Sequence, residues 1–316
     1  MMSKGIDKEK KDKSTKPFLK WAGGKGQLLE TFIGYYPKEL AEGEIKHYYE
    51  PFVGGGAVFF DIAQKFQIES AFLYDLNPEL IITYQVIQKD VEKLITILDK
   101  YKNKYEKINS LKQKEFYYEV RQSFNQQRLK INYSSYSERW IRRAAQIIFL
   151  NKTCFNGLFR FNSKGEFNTP AGSYKNPKIL DEQNLLKVSE TLSIAEIRRA
   201  DFKEVELDLK DDSFIYFDPP YRPLNKTSSF TAYSKNAFND DDQVALGNLF
   251  KKLDSKGVLQ MLSNSDPKNS NPGDNFFDDL YNAYNIYRVP ARRMINSDAT
   301  KRNAINEIIV TNYPIN

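Results

Sequence analysis

One cysteine, Cys154, and one histidine, His47, are all that this 316-residue chain has of either residue. A lone cysteine excludes an internal disulfide framework and a four-cysteine zinc site. A lone histidine leaves no His-based metal cluster, and no Ser-His-Asp triad unless His47 itself serves. Its place before Tyr48 and Tyr49 suits a structural or surface role, and no metal is expected. No apolar run approaches the ~20 residues of a membrane span. Residues 1–16 are rich in Lys, Asp and Glu without an apolar core, so they read as a disordered tail rather than a signal peptide or anchor. The chain reads as soluble and cytoplasmic, with no membrane partner and a monomer as the simplest state.

Net charge is also small: 47 Lys+Arg against 41 Asp+Glu gives +6. Its distribution is more telling. Residues 85–190 hold 20 Lys/Arg and 11 Asp/Glu, a local +9, which leaves −3 for the rest. A basic middle between less basic flanks suits a polyanion partner, and equally a lysine-rich solvated helical surface.

The apolar pattern divides the same way. Strand at 48–53, Gly-rich turn, helix at 57–66, strand at 70–74 and a helix from 78 to about 88 follow the βαβ rhythm of a mainly parallel sheet. Residues 91–108, 111–124 and 137–150 then carry helical spacing and many Lys, Gln and Glu. Residues 159–168 read as a short hairpin turning at Lys164-Gly165, and 180–191 as a further helix. Strands are expected again at 193–199, 213–217, 257–263, 285–290 and 305–313, with a helix at 240–254. The simplest account is an α/β, Rossmann-like doubly wound sheet over 17–85 and 193–316, split by a mainly helical basic insertion at 86–192 that carries the hairpin.

The most informative segment is Asp218-Pro219-Pro220-Tyr221, directly after the apolar run at 214–217. Proline lacks a backbone donor and fixes φ, which locks the neighbouring carbonyls as acceptors. A carboxylate, such carbonyls and an aromatic at a strand end can hold a planar ring by its face and its exocyclic amine. Pulling both amine hydrogens out of the ring plane localises the nitrogen lone pair for attack on a methyl group. The plain alternative is a turn with a proline pair.

Two glycine segments suit a nucleotide-like ligand. In Glu50-Pro51-Phe52-Val53-Gly54-Gly55-Gly56, at the first strand-to-helix turn, glycine lets backbone approach a ligand. Asp75, about 20 residues on, stands where an acid accepts ribose hydroxyls. Position 59 is Phe, so the third glycine of a dinucleotide fingerprint is missing; an adenosyl cofactor without pyrophosphate fits better. The earlier segment 18–25 is no phosphate loop, since Gly26 rather than Ser/Thr follows Lys25. There Trp21 suits either a cover over a ligand or a core position, and Lys25 suits a ligand carboxylate.

Taken in order, F-L-K-W-A-G-G-K, E-P-F-V-G-G-G, Y-D-L-N, F-N-G-L-x-R-x-N, G-E-F-N-x-P-x-G-x-Y-K, F-D-P-P-Y and F-T-A-Y resemble the Dam-type adenine-N6 DNA methyltransferases of the α motif arrangement. The likeness spans nearly the whole chain. It implies S-adenosylmethionine as methyl donor, met by Trp21, Lys25, Phe52, Gly54, Asp75, Asp201, Phe202 and Asp218, with catalysis at Asp218, Pro219, Pro220 and Tyr221. It implies double-stranded DNA as partner, read as 5′-GATC-3′. By this likeness Phe155 and Asn156 wedge beside the target pair, Leu158, Arg160 and Pro170 read bases, and Lys20 meets the outer guanine. Phe155 departs from the Tyr of some relatives, keeping the stacking surface without the hydroxyl. Residues 225–233, with Phe230 and Tyr233, are expected to close over a flipped base or contact phosphates. A methyltransferase of RNA or of protein amides and a non-catalytic DNA-binding relative are the rivals from other classes. Work beside a cognate restriction endonuclease and a role in marking DNA both stay open.

Overall fold

Apolar, β-branched and aromatic runs become the centre of one seven-stranded sheet in the computed structural model, which describes residues 14–222, 238–292 and 304–315. In chain order the strands are β1 (His47–Glu50), β2 (Ser70–Asp75), β3 (Ala195–Arg199), β4 (Ser213–Phe217), β5 (Leu259–Ser265), β6 (Asn285–Arg292) and β7 (Ala304–Thr311). Their spatial order is β3-β2-β1-β4-β5-β7-β6. The first five pair in parallel, while β7 runs antiparallel between β5 and β6. This is the expected Rossmann-like, doubly wound α/β sheet. β4, buried at every position, sits at its middle, as a strand covered on both faces must.

Helices α1 (Leu29–Phe32) and α2 (Lys38–Ala41) precede the sheet, and α3 (Ala57–Lys65) follows β1. Between β2 and β3 lie α4 (Pro78–Glu106), α5 (Ser110–Gln127), α6 (Glu138–Thr153) and α7 (Glu182–Thr191). The helices expected at 78–88 and 91–108 are one helix, α4, bent at Asp90, whose φ of −140° leaves helical geometry. There the Asp90 carboxylate accepts the Tyr136 hydroxyl and pairs with Lys93 at 2.9 Å. Asn77 caps the start of α4 and Pro78 opens it, both standard devices for a helix beginning.

The first half of α4 is tied to the sheet edge: Gln85 donates to the Ile197 carbonyl (2.6 Å) and Gln88 to those of Leu192 and Ala195. α4 also packs along α6, from the Glu79–Arg143 pair to Tyr101 and Tyr105 against Phe149, and α7 packs against α3 and α4. One apolar core therefore runs unbroken from Tyr48 and Phe59 under the sheet to Phe116 and Phe149 between the helices that separate β2 from β3. A second core on the other sheet face gathers Phe217, Phe250 and Tyr281 beneath α8 (Asp240–Asp254) and α9 (Phe276–Leu280).

The hairpin at 159–168 is minimal: one bridge, Phe161 to Phe167, closed by Asn162 and Glu166. Ordered backbone begins before Pro17, because the Thr15 amide donates to Gln64 and that of Lys16 to Asn184. The expected tail thus ends short of residue 16, and residues 1–13 lie outside the described ones. So do residues 225–233. Among the described residues no helix is long and apolar enough to cross a membrane.

Candidate active site

The turns after β1, β2 and β4 leave their strands at the carboxyl edge of the sheet, where parallel strands open a crevice. A cleft of about 1210 Å³ lies there. Asp218, Pro219, Pro220 and Tyr221 line it, and so do Trp21, Lys25, Phe52, Gly54, Asp75, Asp201 and Phe202. Residues from five separated segments of the sequence thus meet in one place.

The β1–β2 side is built around a carboxylate. Asp75 ends β2 and accepts the amides of Gly54 (3.1 Å) and Asn77 (2.8 Å). Burial raises its pKa, against the pull of these backbone donors. Gly54 has φ of +47°, and a Cβ there would fall 2.8 Å from the Trp21 indole nitrogen, so only glycine suits the position. Trp21 itself is half-buried, packed beside Phe159 at 5.7 Å between ring centroids, which makes it both a wall of the cleft and part of the core's edge. Phe52 stacks on Phe202 at 5.5 Å, and Phe238 meets both edge-on. Asp201 caps the short helix after β3 by accepting the Lys203 amide. An acid with lone pairs to spare beside an aromatic cluster fits the ribose and adenine of S-adenosylmethionine.

The β4 side is more tightly bound. The Lys25 ammonium, almost wholly buried, lies 2.6 Å from Asp218 Oδ1 and donates to the Tyr221 hydroxyl at 2.8 Å. Glu307, from β7, stands 3.6 Å from the same ammonium and accepts the Tyr221 hydroxyl at 2.6 Å. Lys25 therefore points into a carboxylate pair and does not stand free in the cleft for a ligand's acid. Burial pushes the Asp218 carboxyl up to about 6, with Lys25 pulling against it and Glu307 adding to the rise. Behind the motif, Gln243 of α8 donates to the Pro220 carbonyl at 3.1 Å. Arg222 is clamped by Asp240 and Asp274, each at 2.7 Å, which fixes the far end of the tetrapeptide.

Lys20, Phe155, Asn156, Leu158, Arg160 and Pro170 do not line the cleft; they gather on the adjoining surface. Asn151 ties the segments together by accepting the Lys20 amide and donating to the Lys20 and Gly157 carbonyls. The Phe155 amide donates to the Pro170 carbonyl at 2.9 Å, and Arg160 donates to Asn168 at 3.0 Å. Phe155 is 51 % exposed, far out for so large an apolar ring. Asn156 holds φ of +54°, a conformation Asn tolerates better than most residues. The Trp21–Phe159 contact and Phe161, which also lines the cleft, join this surface to the cleft rim.

Glu307 was not foreseen from the sequence, although an acid inside the apolar run 305–313 was a visible signal. Glu50 is a second such acid. It is 2 % exposed at the end of β1, lines the cleft and accepts the Tyr48 hydroxyl at 2.8 Å. Burial drives its pKa well above the carboxylate range.

Residues 21–295 match the family described as D12 class N6 adenine-specific DNA methyltransferase. The type II methyltransferase M.MjaIII of Methanocaldococcus jannaschii is 50% identical over 299 residues, 94% of this chain and 99% of that protein. The type II methyltransferase M1.LlaDCHI of Lactococcus lactis subsp. cremoris is 41% identical over 94% of this chain and 95% of its own length. A DNA adenine methylase of Vibrio cholerae is 33% identical over 96% of this chain and 98% of its own. Family, near full-length relatives and a cleft suited to an adenosyl donor agree: the chain belongs to the D12 class of adenine-N6 DNA methyltransferases, enzymes that use S-adenosylmethionine.

Proposed function

We propose that the enzyme methylates adenine N6 within 5′-GATC-3′ of duplex DNA, after turning the target base out of the helix. The observation that carries this reading is the meeting of Asp218, Tyr221, Gly54 and Asp75 in one cleft whose rim continues into the exposed Phe155–Arg160 surface. At about 1210 Å³ the cleft exceeds the roughly 300–1,000 Å³ of a single-ligand site. It has room for a donor and a base side by side. A paired adenine hides its amine, so extrusion, at a cost of a few kcal/mol, has to precede chemistry.

S-adenosylmethionine supplies an electrophilic methyl group. This chain's residues do the rest by placement. The Asp218 carboxylate and the Pro219 carbonyl accept the two amine hydrogens, and Tyr221 stacks on the ring. With the amine so held, its N6 lone pair would accept the methyl carbon of a bound donor while the sulfur kept the electrons of the C–S bond, and the proton lost from N6 would pass to the Asp218 carboxylate and on to solvent. Alignment of two bound reactants carries much of the rate. Fixed acceptors facing the charge that grows on nitrogen carry much of the remainder. Asp75, Phe52, Gly54, Asp201, Phe202 and Trp21 hold the donor.

In the same reading, residues 86–192 form the DNA-recognition domain, set in the catalytic domain of 17–85 and 193–316. Its basic helices meet phosphates, which positions the duplex without reading it. Phe155 and Asn156 support the opened pair, while Lys20, Leu158, Arg160 and Pro170 read the site. Arg160 has five donors and gives one to Asn168, leaving others for guanine O6 and N7. The relatives named type II methyltransferases favour a role beside a cognate restriction endonuclease.

Labelled donor offered with duplexes carrying GATC, each one-base variant and single strands tests the site preference: GATC duplexes should be labelled foremost, on adenine. Labelling spread evenly over the variants rejects GATC as the site. For Arg160→Ala the same panel should show loss of ~1–3 kcal/mol of discrimination at one base pair. An unchanged ranking of variants removes Arg160 from the reading set.

A further inference from the structure

Glu307 lies near the start of β7, opposite Ser265 of β5 in the antiparallel register. Because β7 reverses direction, its beginning reaches the carboxyl ends of the parallel strands, beside the active cleft. The residue is 7 % exposed. One carboxylate oxygen accepts the Tyr221 hydroxyl, and the other has no hydrogen-bond donor among the described residues. A buried carboxylate so placed is costly unless a cation compensates it. Lys25 is that cation, and it is shared: 2.6 Å to Asp218, 2.8 Å to the Tyr221 hydroxyl and 3.6 Å to Glu307. The ammonium also lies 4.5 Å from the centre of the Tyr221 ring.

We propose that Glu307 is a positioning residue for methyl transfer: it fixes the Tyr221 ring through its hydroxyl and divides the Lys25 ammonium with Asp218, keeping the Asp218 carboxylate available to the adenine amine. This rests on the roles given above to Asp218 and Tyr221. Lys25 undivided would neutralise Asp218 where positive charge must grow on N6. The groups facing Asp218 are Lys25 from the glycine segment, Glu307 from β7, Ser263 from β5, Glu50 from β1, and Tyr216 and Tyr221 of its own stretch. Lys25 is the cation among them. Removing the charge of Glu307 therefore makes Asp218 a stronger acid and a weaker acceptor.

The test is steady-state kinetics of Glu307→Gln on a GATC duplex across pH, with donor binding measured separately and Asp218→Asn and Tyr221→Phe alongside. Glutamine preserves shape. We expect kcat to fall ~3–10-fold, the difference between a hydrogen bond to a charged group and one to a neutral amide oxygen. DNA KM and donor affinity should hold near neutral pH, and the acid limb of kcat/KM should move to lower pH. Tyr221→Phe removes the link to residue 307 altogether while keeping the ring, so it should lower kcat too. The double variant should be no worse than the worse single, as for two members of one network. Wild-type kcat and an unmoved acid limb in Glu307→Gln, with Asp218→Asn inactive, overturn the proposal, as does a change confined to KM. If Glu307→Gln does not fold, wild-type kcat in Tyr221→Phe overturns it instead. An active Asp218→Asn is a different result: it removes the underlying assignment.

Discussion

Replacing Asp218 with alanine is expected to lower methyl transfer by at least ~10²–10³-fold, the usual loss when a fixed group facing transition-state charge is removed. DNA retention should persist, because the residues proposed to read the bases lie on the adjoining surface. The expectation follows from position: Asp218 lies just past a strand buried at every residue, between prolines that fix the chain and a lysine that fixes its carboxylate. Asparagine at 218 is the sharper variant, since it keeps shape and some acceptor capacity while removing charge. The carboxyl titrates near 6, raised by burial against the pull of Lys25. The carboxylate form is the acceptor, so wild-type kcat/KM should fall below about pH 6, roughly tenfold per unit further down. Near-normal turnover by Asp218→Ala in a labelled-methyl assay would remove the residue from the mechanism.

Much of this site is visible in the chain because it sits where local pattern changes. Phe214 to Phe217 reads as a buried strand, and Asp218-Pro219-Pro220 marks its end; β4 stops there. The glycine turn and Asp75 follow the same logic after β1 and β2, and the cleft contains both. What stayed hidden depends on partners far apart in sequence. Lys25 reads as a free cation beside flexible glycines, yet its partners lie 193, 196 and 282 positions on, at Asp218, Tyr221 and Glu307. Only the reversed direction of β7 brings Glu307 to the cleft, and no local pattern within 305–313 states a strand's direction. The bend at Asp90 is similar: helical periodicity runs through it, and the departure is met by Tyr136, 46 positions away. The five-residue helix α9 went unread because so short a segment carries little periodicity.

Arg143→Ala should cost ~3–5 kcal/mol of folding stability, the usual consequence of leaving one member of a buried ion pair alone. Arg143 is fully buried, rare for arginine, on α6. Its Nε donates to Glu79 at 2.8 Å, a second nitrogen pairs with the other carboxylate oxygen, and a third donates to the Phe124 carbonyl at 2.6 Å. Its guanidinium lies 3.7 Å from the Phe124 ring centre, and Tyr133 donates to Glu79 at 2.6 Å. This one side chain thus joins α4, α5 and α6 with every charge answered. Alanine strands the Glu79 carboxylate beside apolar neighbours and opens a void. Replacing both charges, as Arg143→Met with Glu79→Leu and Tyr133→Phe, should recover most of the loss, because well-packed apolar groups often substitute for a buried pair at little cost. Urea denaturation separates the cases, and Arg143→Ala within ~1 kcal/mol of the parent, the worth of an exposed pair, would show the pair to be dispensable. The effect should reach the cleft as well. Glu79 follows Asn77 and Pro78, which line the cleft beside Asp75, so a loosened start of α4 disturbs the turn that holds the Asp75 carboxylate. A weakened affinity for S-adenosylmethionine in Arg143→Ala, restored in the triple variant, is the expected signature of that coupling.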